Sequence, residues 1–422
     1  MAPSHLTRRS LFRMGAGAAA GLLVPRVAVA AQSEPAVPHR SFVQSVANVS
    51  SGRMRRSVAD MLMTTARECV RDASGWTVPS PIYGDMYVRD SFWVAAALER
   101  LDVSSGIVGH FGLAVRESPD GRCPTFLRHA PRPPLESVRF DESTLMFVLH
   151  SYVLARMDGR VDQGTLGITY QHIARQMYGG AFVTWGEYRT ERSEEIGCYH
   201  YWIDTYRPNG RPLPSPEVMA YTQGLAAVAL QCLLRMRVPG VDPPLVALAE
   251  QAYVGMRSPV DSWALPQRAG SSNLDVSALV GEALSLYWFD RSLLGRERVS
   301  ATIHRFARSH HVDGAFLGFK VLTGHDGNLR PASEFIVDVS NPPGYYHNGG
   351  SWFLYDALAL YAAGRHGLGG AELLLADRLA SEIRYEVASH EYLSTSVDAL
   401  GKGEPRRIGY GWNAFVARLF AV

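Results

Sequence analysis

Four stretches of the 422-residue chain set aromatic side chains beside carboxylate, imidazole, amide or guanidinium groups closely enough to suggest chemistry. The first, Tyr83-Gly84-Asp85-Met86-Tyr87-Val88-Arg89-Asp90-Ser91-Phe92-Trp93, sets aromatic rings beside an adjacent arginine–aspartate pair at a loop-to-helix junction. Sugars require this mixture, because their C–H faces stack on rings while their hydroxyls take paired hydrogen bonds from carboxylate and guanidinium. The competing structural reading is a buried salt bridge at a helix start. The second runs from Glu194 to Thr205 and contains Trp202-Ile203-Asp204. A carboxyl beside apolar surface resists ionisation, so Asp204 is suited to donating a proton; a turn or capping aspartate is the alternative.

The third stretch, Gly344-Tyr345-Tyr346-His347-Asn348-Gly349-Gly350-Ser351-Trp352, pairs glycines that let backbone approach a ligand with Trp352 in the first turn of a helix; as plain structure it is a tight turn. The fourth is His390-Glu391-Tyr392-Leu393, where Glu391 is the candidate second carboxylate, set against the ordinary reading of a solvated loop glutamate. Gly409-Tyr410-Gly411-Trp412-Asn413 then opens the last helix.

Helical periodicity supplies the elements that must hold these loops. It predicts helices over 54–72, 88–101, 142–157, 165–178, 216–236, 244–257, 275–290, 296–310, 350–366, 370–387 and 410–420, dominated by Ala, Leu and Arg. The 218–234 stretch reads as buried on most sides. Long loops rich in aromatic residues and in Gly, Pro and Asn separate the helices at 76–87, 181–216 and 316–346, and such loops on a helical scaffold are where sites sit. Helices of similar length in this number imply an all-α architecture of helix pairs stacked into a ring, with the long loops at one end.

Composition narrows the function. Apolar residues make up 47% and charged residues 19%, enough for a large core and too apolar for disorder. The formal charge of +2 owes its sign to Arg8, Arg9, Arg13 and Arg26 near the N-terminus; without them 38 basic side chains face 40 acidic ones. That balance argues against nucleic acid and against a polybasic membrane patch. Thr7-Arg8-Arg9-Ser10-Leu11-Phe12-Arg13, the Gly/Ala/Leu-rich stretch to Val24 and Ala28-Val29-Ala30 read as a cleavable twin-arginine signal over residues 1–31. The twin-arginine export machinery is then a partner, and the destination is periplasmic or secreted. No later stretch has 18 uninterrupted apolar residues, and the cleavage region has no cysteine for lipidation, so no stable membrane anchor is expected. Residues 32–52, rich in Ser, Pro and Val, read as a linker, leaving 53–422 as the functional domain. Cys69, Cys123, Cys198 and Cys232 form no C-x-x-C or zinc spacing and read as buried thiols; no metal or cofactor is expected.

Taken in order, these motifs resemble the six-hairpin (α/α-barrel) glycosidase superfamily, which includes glycogen-debranching enzymes, glucoamylases, trehalases and bacterial hydrolases of small glycosides. Val88-Arg89-Asp90-Ser91 is similar to the family's early sugar-contacting Arg-Asp element, and Asp141-Glu142-Ser143-Thr144-Leu145 to the start of one inner helix. Trp202-Ile203-Asp204 resembles the Trp-Met-Asp segment carrying the acid. Gly210-Arg211-Pro212 through Glu217-Val218 resembles a Gly-Lys-Pro-Val-Glu helix start, enlarged here by Pro214-Ser215-Pro216. Tyr346 to Trp352 is similar to a Tyr-His-Asn-Gly-x-x-Trp loop, and Tyr410-Gly411-Trp412-Asn413-Ala414 to the late Gln-x-Trp-Ser/Asn-Ala helix.

The resemblance implies a six-hairpin toroid and hydrolysis of an oligo- or polysaccharide with inversion, Asp204 acting as general acid and Glu391 as general base, with Glu334 as the rival base. Tyr87, Arg89, Asp90, Trp202, Glu217, His347, Asn348, Trp352 and Trp412 would bind the sugar. Two alternatives stay open. One is a polysaccharide lyase on the same barrel, using His200, Tyr201 or Tyr346 as base and Arg89 to neutralise a uronate. The other is a sugar-binding protein without turnover. Sugar identity, linkage, exo or endo action, hydrolysis against phosphorolysis, and oligomeric state are not specified by the sequence.

Overall fold

The computed structural model describes residues 36–81, 83–129, 141–184, 201–203, 206, 217–307, 311–312, 315–335, 342–384, 393 and 410–420. The proposed signal over 1–31, together with Asp204, His200, Cys198 and Glu391, lies outside them.

Six segments are buried almost all round and form an inner ring. These are α3 (Val88–Leu98), α5 (Glu142–Arg156), α7 (Ala220–Arg235), α9 (Val280–Phe289, entered through a 3-10 turn, Val276–Leu279), α11 (Phe353–Arg365) and a closing 3-10 segment, Gly411–Val416, that runs into α13 (Ala417–Phe420). Each packs on the next in that order, and the closing segment packs on both α11 and α3, so the ring is complete. Every residue of α11 is buried. A helix apolar on all sides has no solvent face, and an inner position is the one place it can occupy.

An outer ring of amphipathic helices returns the chain between inner ones: α2 (Gly52–Glu68), α4 (Leu101–Glu117), α6 (Gln163–Gln176), α8 (Pro243–Gly255), α10 (Arg296–Phe306) and α12 (Ala371–Arg384). Their inward stripes follow helical spacing, as in Val58, Leu62, Thr65 and Ala66 of α2 or Arg298, Val299, Thr302 and Phe306 of α10. Local chemistry fixes the boundaries. Asp162 accepts from the Gly164 amide at 3.0 Å to cap α6, and two prolines open α8, where their missing N–H groups cost nothing. Glu99 in the left-handed region (φ 47°) ends α3.

Because every inner helix runs the same way, all six begin at one end of the barrel. That end also carries two of the two-stranded pairs, β1 (Met86–Tyr87) with β2 (Phe126–Leu127) and β5 (Leu274–Asp275) with β8 (Leu322–Thr323), each antiparallel. The remaining pairs are β3 (Met177–Tyr178) with β4 (Ala181–Phe182) and β6 (His311–Val312) with β7 (Ala315–Phe316).

Two helices depart from the sequence expectation. His39–Val49 (α1) lies within the stretch read as a linker; Phe42, Val43 and Val46 are buried against α11 and α12, with the Val37 amide donating to the Arg365 carbonyl at 2.7 Å. Its single apolar stripe was masked by the Ser- and Pro-bearing flanks. Helix α4 contains Gly106, Gly109 and Gly112, which lower helix propensity. Gly106 is required there, since a Cβ would fall 1.9 Å from the Ser74 carbonyl oxygen. Cys69, Cys123 and Cys232 are buried; burial pushes the Cys69 thiol up to about 12 and holds that of Cys232 well above its ordinary value, so neither of these two is poised to react at neutral pH. No described helix is long and apolar enough to cross a membrane.

Candidate active site

The first turns of the inner helices carry polar or aromatic groups into the loop-bearing end of the barrel. Pairing of Tyr87 with Phe126, and the Val88 amide donating to the Thr125 carbonyl at 2.9 Å, fix the start of α3. Arg89 then reaches the first residue of α5, Glu142, with Nη1 2.7 Å from Oε1. Its guanidinium lies over the Trp412 ring, 5.5 Å from the centroid, and Tyr221 and Tyr355 act on it electrostatically from α7 and α11. Burial raises the Glu142 carboxyl above its ordinary range, and Arg89 opposes that rise. Asp90, 4.0 Å from Arg89 Nε, is pushed up to about 6 by burial, with Arg89 again opposing. Among the described residues, Asp90 Oδ1 and Trp412 Nε1 are a buried acceptor and a buried donor without a partner.

An aromatic cluster continues from this charged group. Trp202 stacks on Tyr355 with centroids 4.2 Å apart, and meets Trp352 edge-on at 4.9 Å and His347 at 5.2 Å. His347 lies parallel to Trp352 at 5.3 Å, and Trp352 meets Trp412 at 5.4 Å. Burial and the nearby Arg89 hold the His347 imidazole well below its ordinary value, so it is neutral at pH 7. The structure thus brings together Arg89, Asp90, Trp202, His347, Trp352 and Trp412, drawn from separate parts of the chain. Tyr87 sits at the same helix start, half-buried against Phe126. Asn348 is buried in the turn beside His347.

That turn corrects one expectation. Its glycines serve backbone geometry: Gly344 and Gly349 have φ of 90° and 91°, and a Cβ on Gly349 would lie 2.1 Å from Leu329 Cδ2. Tyr346 also adopts φ 37°, a strained value for a residue with a side chain. Trp352 has an extended backbone and stands immediately before α11 rather than in its first turn.

Two predicted carboxylates are engaged elsewhere. Glu217 bridges to Thr184, and its carboxylate oxygens lie 3.1 and 3.3 Å from Arg268 Nη1. Glu334 receives Arg330 on both oxygens, Nε at 2.9 Å and Nη2 at 2.7 Å. The fork ties both oxygens of the rival base to Arg330 and leaves one further lone pair on each.

The flanks of Asp204 and Glu391 are described although the two carboxylates are not. Tyr201, Trp202 and Ile203 are buried, and Tyr206 bridges to Phe335. Leu393 exchanges two backbone hydrogen bonds with Ser351, each 2.8 Å. Trp202 and Trp352, the neighbours of these two flanks, are in ring contact.

Glu142, Tyr221, Tyr355, Asp275 and Ser277 belong to the site yet were not singled out as binding groups from the sequence. Their shared signal is a polar or aromatic residue in or just before the first turn of an otherwise apolar helix, as with Asp90, Glu142, Tyr221 and Ser277. No group of three or more potential metal-binding side chains occurs among the described residues.

No protein-family profile matches the chain, and no curated relative matches it. Solved structures do. A GH63 mannosylglycerate hydrolase from Thermus thermophilus, solved with glucose, is 14% identical, with a TM-score of 0.55 over 85% of this chain and 99% of that one. The same enzyme with Tris and D-glycerate aligns over 86% and 100%, again with a TM-score of 0.55 and 14% identity. A wild-type glycosidase aligns over 88% and 98% at 15% identity and a TM-score of 0.53. At this identity the likeness establishes the fold: the chain is an (α/α) six-hairpin barrel of the kind found in GH63 glycosidases.

Proposed function

We propose that this protein is an exported glycoside hydrolase that cleaves an oligosaccharide or other small glycoside with inversion. The observation that carries the reading is the contact of Trp202 with Trp352 beside the Arg89–Glu142 pair. Trp202 stands two residues before Asp204, and Trp352 follows Ser351, the bridge partner of Leu393, which supports a shared site for the two carboxylates. Inversion needs two carboxyls on opposite faces of the scissile bond, roughly 6.5–9.5 Å apart with room for water. Asp204 protonates the leaving oxygen and Glu391 activates the water. Arg89 and Asp90 take sugar hydroxyls, while Trp202, Trp352 and Trp412 form the apolar wall, with Tyr87, His347 and Asn348 at its margin. Glu217, held by Arg268, is a supporting group.

The fold neighbours, one of them a mannosylglycerate hydrolase solved with glucose, support a small hexoside as substrate. The fork on Glu334 favours Glu391 as base. Burial and the nearby Asp275 hold the Tyr201 hydroxyl well above its ordinary value, which disfavours it as the base of a lyase.

The deciding experiment incubates the purified protein with a glycan and glycoside library, mannosylglycerate included, and follows product anomers by NMR. Release of a sugar of inverted configuration is expected, lost in Asp204→Asn and Glu391→Gln. Unchanged turnover in both variants overturns the assignment, and binding without turnover identifies a sugar-binding protein. Export is tested separately: lysine at both Arg8 and Arg9 should retain the precursor in the cytoplasm.

A further inference from the structure

Between β5 and α9 lies a buried polar device that the proposed hydrolysis does not itself use. Asp275, at the end of β5, accepts from the Ser277 amide at 2.8 Å and from the Ser277 hydroxyl at 2.7 Å through the same oxygen, Oδ1. With its proton committed to Asp275, the Ser277 hydroxyl turns its lone pairs outward. Trp202 Nε1 donates to it at 2.9 Å. The Tyr201 hydroxyl, which accepts from Gln267 Nε2 at 2.8 Å, lies beside Asp275. Asp275 itself is set by β5, whose Leu274 and Asp275 pair with Thr323 and Leu322 of β8, and by the Val276 amide donating to the Val321 carbonyl at 3.2 Å. Every side chain of the device is buried.

The arrangement is directional. An indole can stack on Tyr355 at many rotations about the ring normal, since dispersion has little angular preference. One buried N–H with one acceptor removes that freedom, because a buried donor left unpaired forfeits its hydration with nothing in return. The serine–aspartate pair therefore sets the orientation of Trp202.

We propose that Asp275 and Ser277 are positioning residues for catalysis: they latch the Tyr201–Trp202 pair to the start of α9 and so fix how the chain presents Asp204. This rests on Asp204 being the acid. A general acid misplaced by about 1 Å loses on the order of 10² in rate while ground-state sugar contacts elsewhere persist. The latch acts on kcat rather than on binding.

The test uses the full-length mature protein. Backbone hydrogen exchange is followed over 198–207 in the wild type, Ser277→Ala, Ser277→Thr and Trp202→Phe, the last removing the N–H while keeping an aromatic ring. Exchange in this segment should accelerate at least about tenfold in Ser277→Ala and Trp202→Phe and remain near wild type in Ser277→Thr, whose hydroxyl is retained. On mannosylglycerate or whichever library glycoside is turned over, kcat should fall about 10²-fold in Ser277→Ala with KM within about threefold, and Ser277→Thr should recover most of it; Trp202→Phe, which also changes the sugar-binding wall, is read by exchange alone. Unchanged exchange in both Ser277→Ala and Trp202→Phe overturns the latch, whatever the activity. Accelerated exchange with an unchanged kcat overturns its positioning role. Full activity in Asp204→Asn overturns the hydrolase assignment instead and leaves the exchange result standing.

Discussion

Ser351 and Leu393 exchange both of their backbone hydrogen bonds, each 2.8 Å, across 42 residues of sequence. The Ser351 hydroxyl in turn donates to Asp356 Oδ2 at 2.6 Å, and Asp356 also receives Arg378 Nε at 3.0 Å, so the turn before α11 is tied to both rings of the barrel. Leu393, two residues after Glu391, is thereby stitched to the residue preceding Trp352. Glu334 is forked by Arg330, and its neighbour Phe335 bridges instead to Tyr206. Glu391→Gln should therefore lower kcat by about 10²–10⁴, while Glu334→Gln should stay within about tenfold of wild type. Initial rates on the substrate found in the glycoside screen decide between them; the reverse order would make Glu334 the base.

The Arg89–Glu142 pair is closed at 2.7 Å with Glu142 buried and Arg89 nearly so. Removing one partner strands the other charge in the core, which typically costs about 3–5 kcal/mol. Glu142→Gln should destabilise the fold by about that amount in urea unfolding, and Arg89→Met should do the same. Their double variant should cost less than the sum, since neither charge is then left unpaired. Additive losses would mean that the two side chains are not coupled in solution.

Inner helices α7 and α9 cross at Gly224 and Gly281, where a Cβ on Gly281 would lie 2.5 Å from Gly224 Cα. Backbone, not a flexible side chain, fills that space. Gly281→Ala should cost about 1–3 kcal/mol by forcing the helices apart. Gly167, inside α6, has nothing within 4 Å of a Cβ, and Gly167→Ala should stabilise by about 0.8–1 kcal/mol through helix propensity alone. Opposite shifts in thermal midpoint are the expected result; equal shifts would contradict the crossing.

The inner ring was legible because helices such as Ala220–Arg235 and Phe353–Arg365 carry apolar residues round most of their circumference, with few of the charged residues a surface helix shows. Boundaries were less so. Met219 is held extended by its bridge to Arg268, and the Ala220 amide bonds the Gln267 carbonyl, so α7 starts later than its periodicity suggests. Ring closure, too, was an inference from helix number and resemblance, since the packing of the closing segment on α3 is a contact between chain ends that periodicity does not encode. Within the site, Arg89, Trp202, His347, Trp352 and Trp412 announced themselves by clustering with other chemical groups. Glu142, Tyr355 and Ser277 did not, because each stands in an apolar helical context and acquires its role from a partner far away in sequence. Glu217 drew notice by its position before a helix, yet its partner Arg268 could be found only in three dimensions.

Asp90 gives a pH signature with a defined sign. Burial raises its carboxyl from 3.8 to about 6, with Arg89 opposing but not cancelling the rise. The unfolded chain releases this proton near 3.8, whereas the folded protein holds it to about 6. Between those values the folded state binds more protons, so stability falls as pH rises; the penalty is absent below the lower value and complete above the upper one. Asparagine at this position has no proton to lose. The stability of Asp90→Asn relative to wild type should therefore improve by on the order of 1–3 kcal/mol between about pH 4 and about pH 7. Paired urea titrations at the two pH values measure it, and other carboxyls cancel in the difference. A flat difference would show that Asp90 is already ionised in the native state at the lower pH, which would require a stronger pairing with Arg89 than their 4.0 Å separation provides.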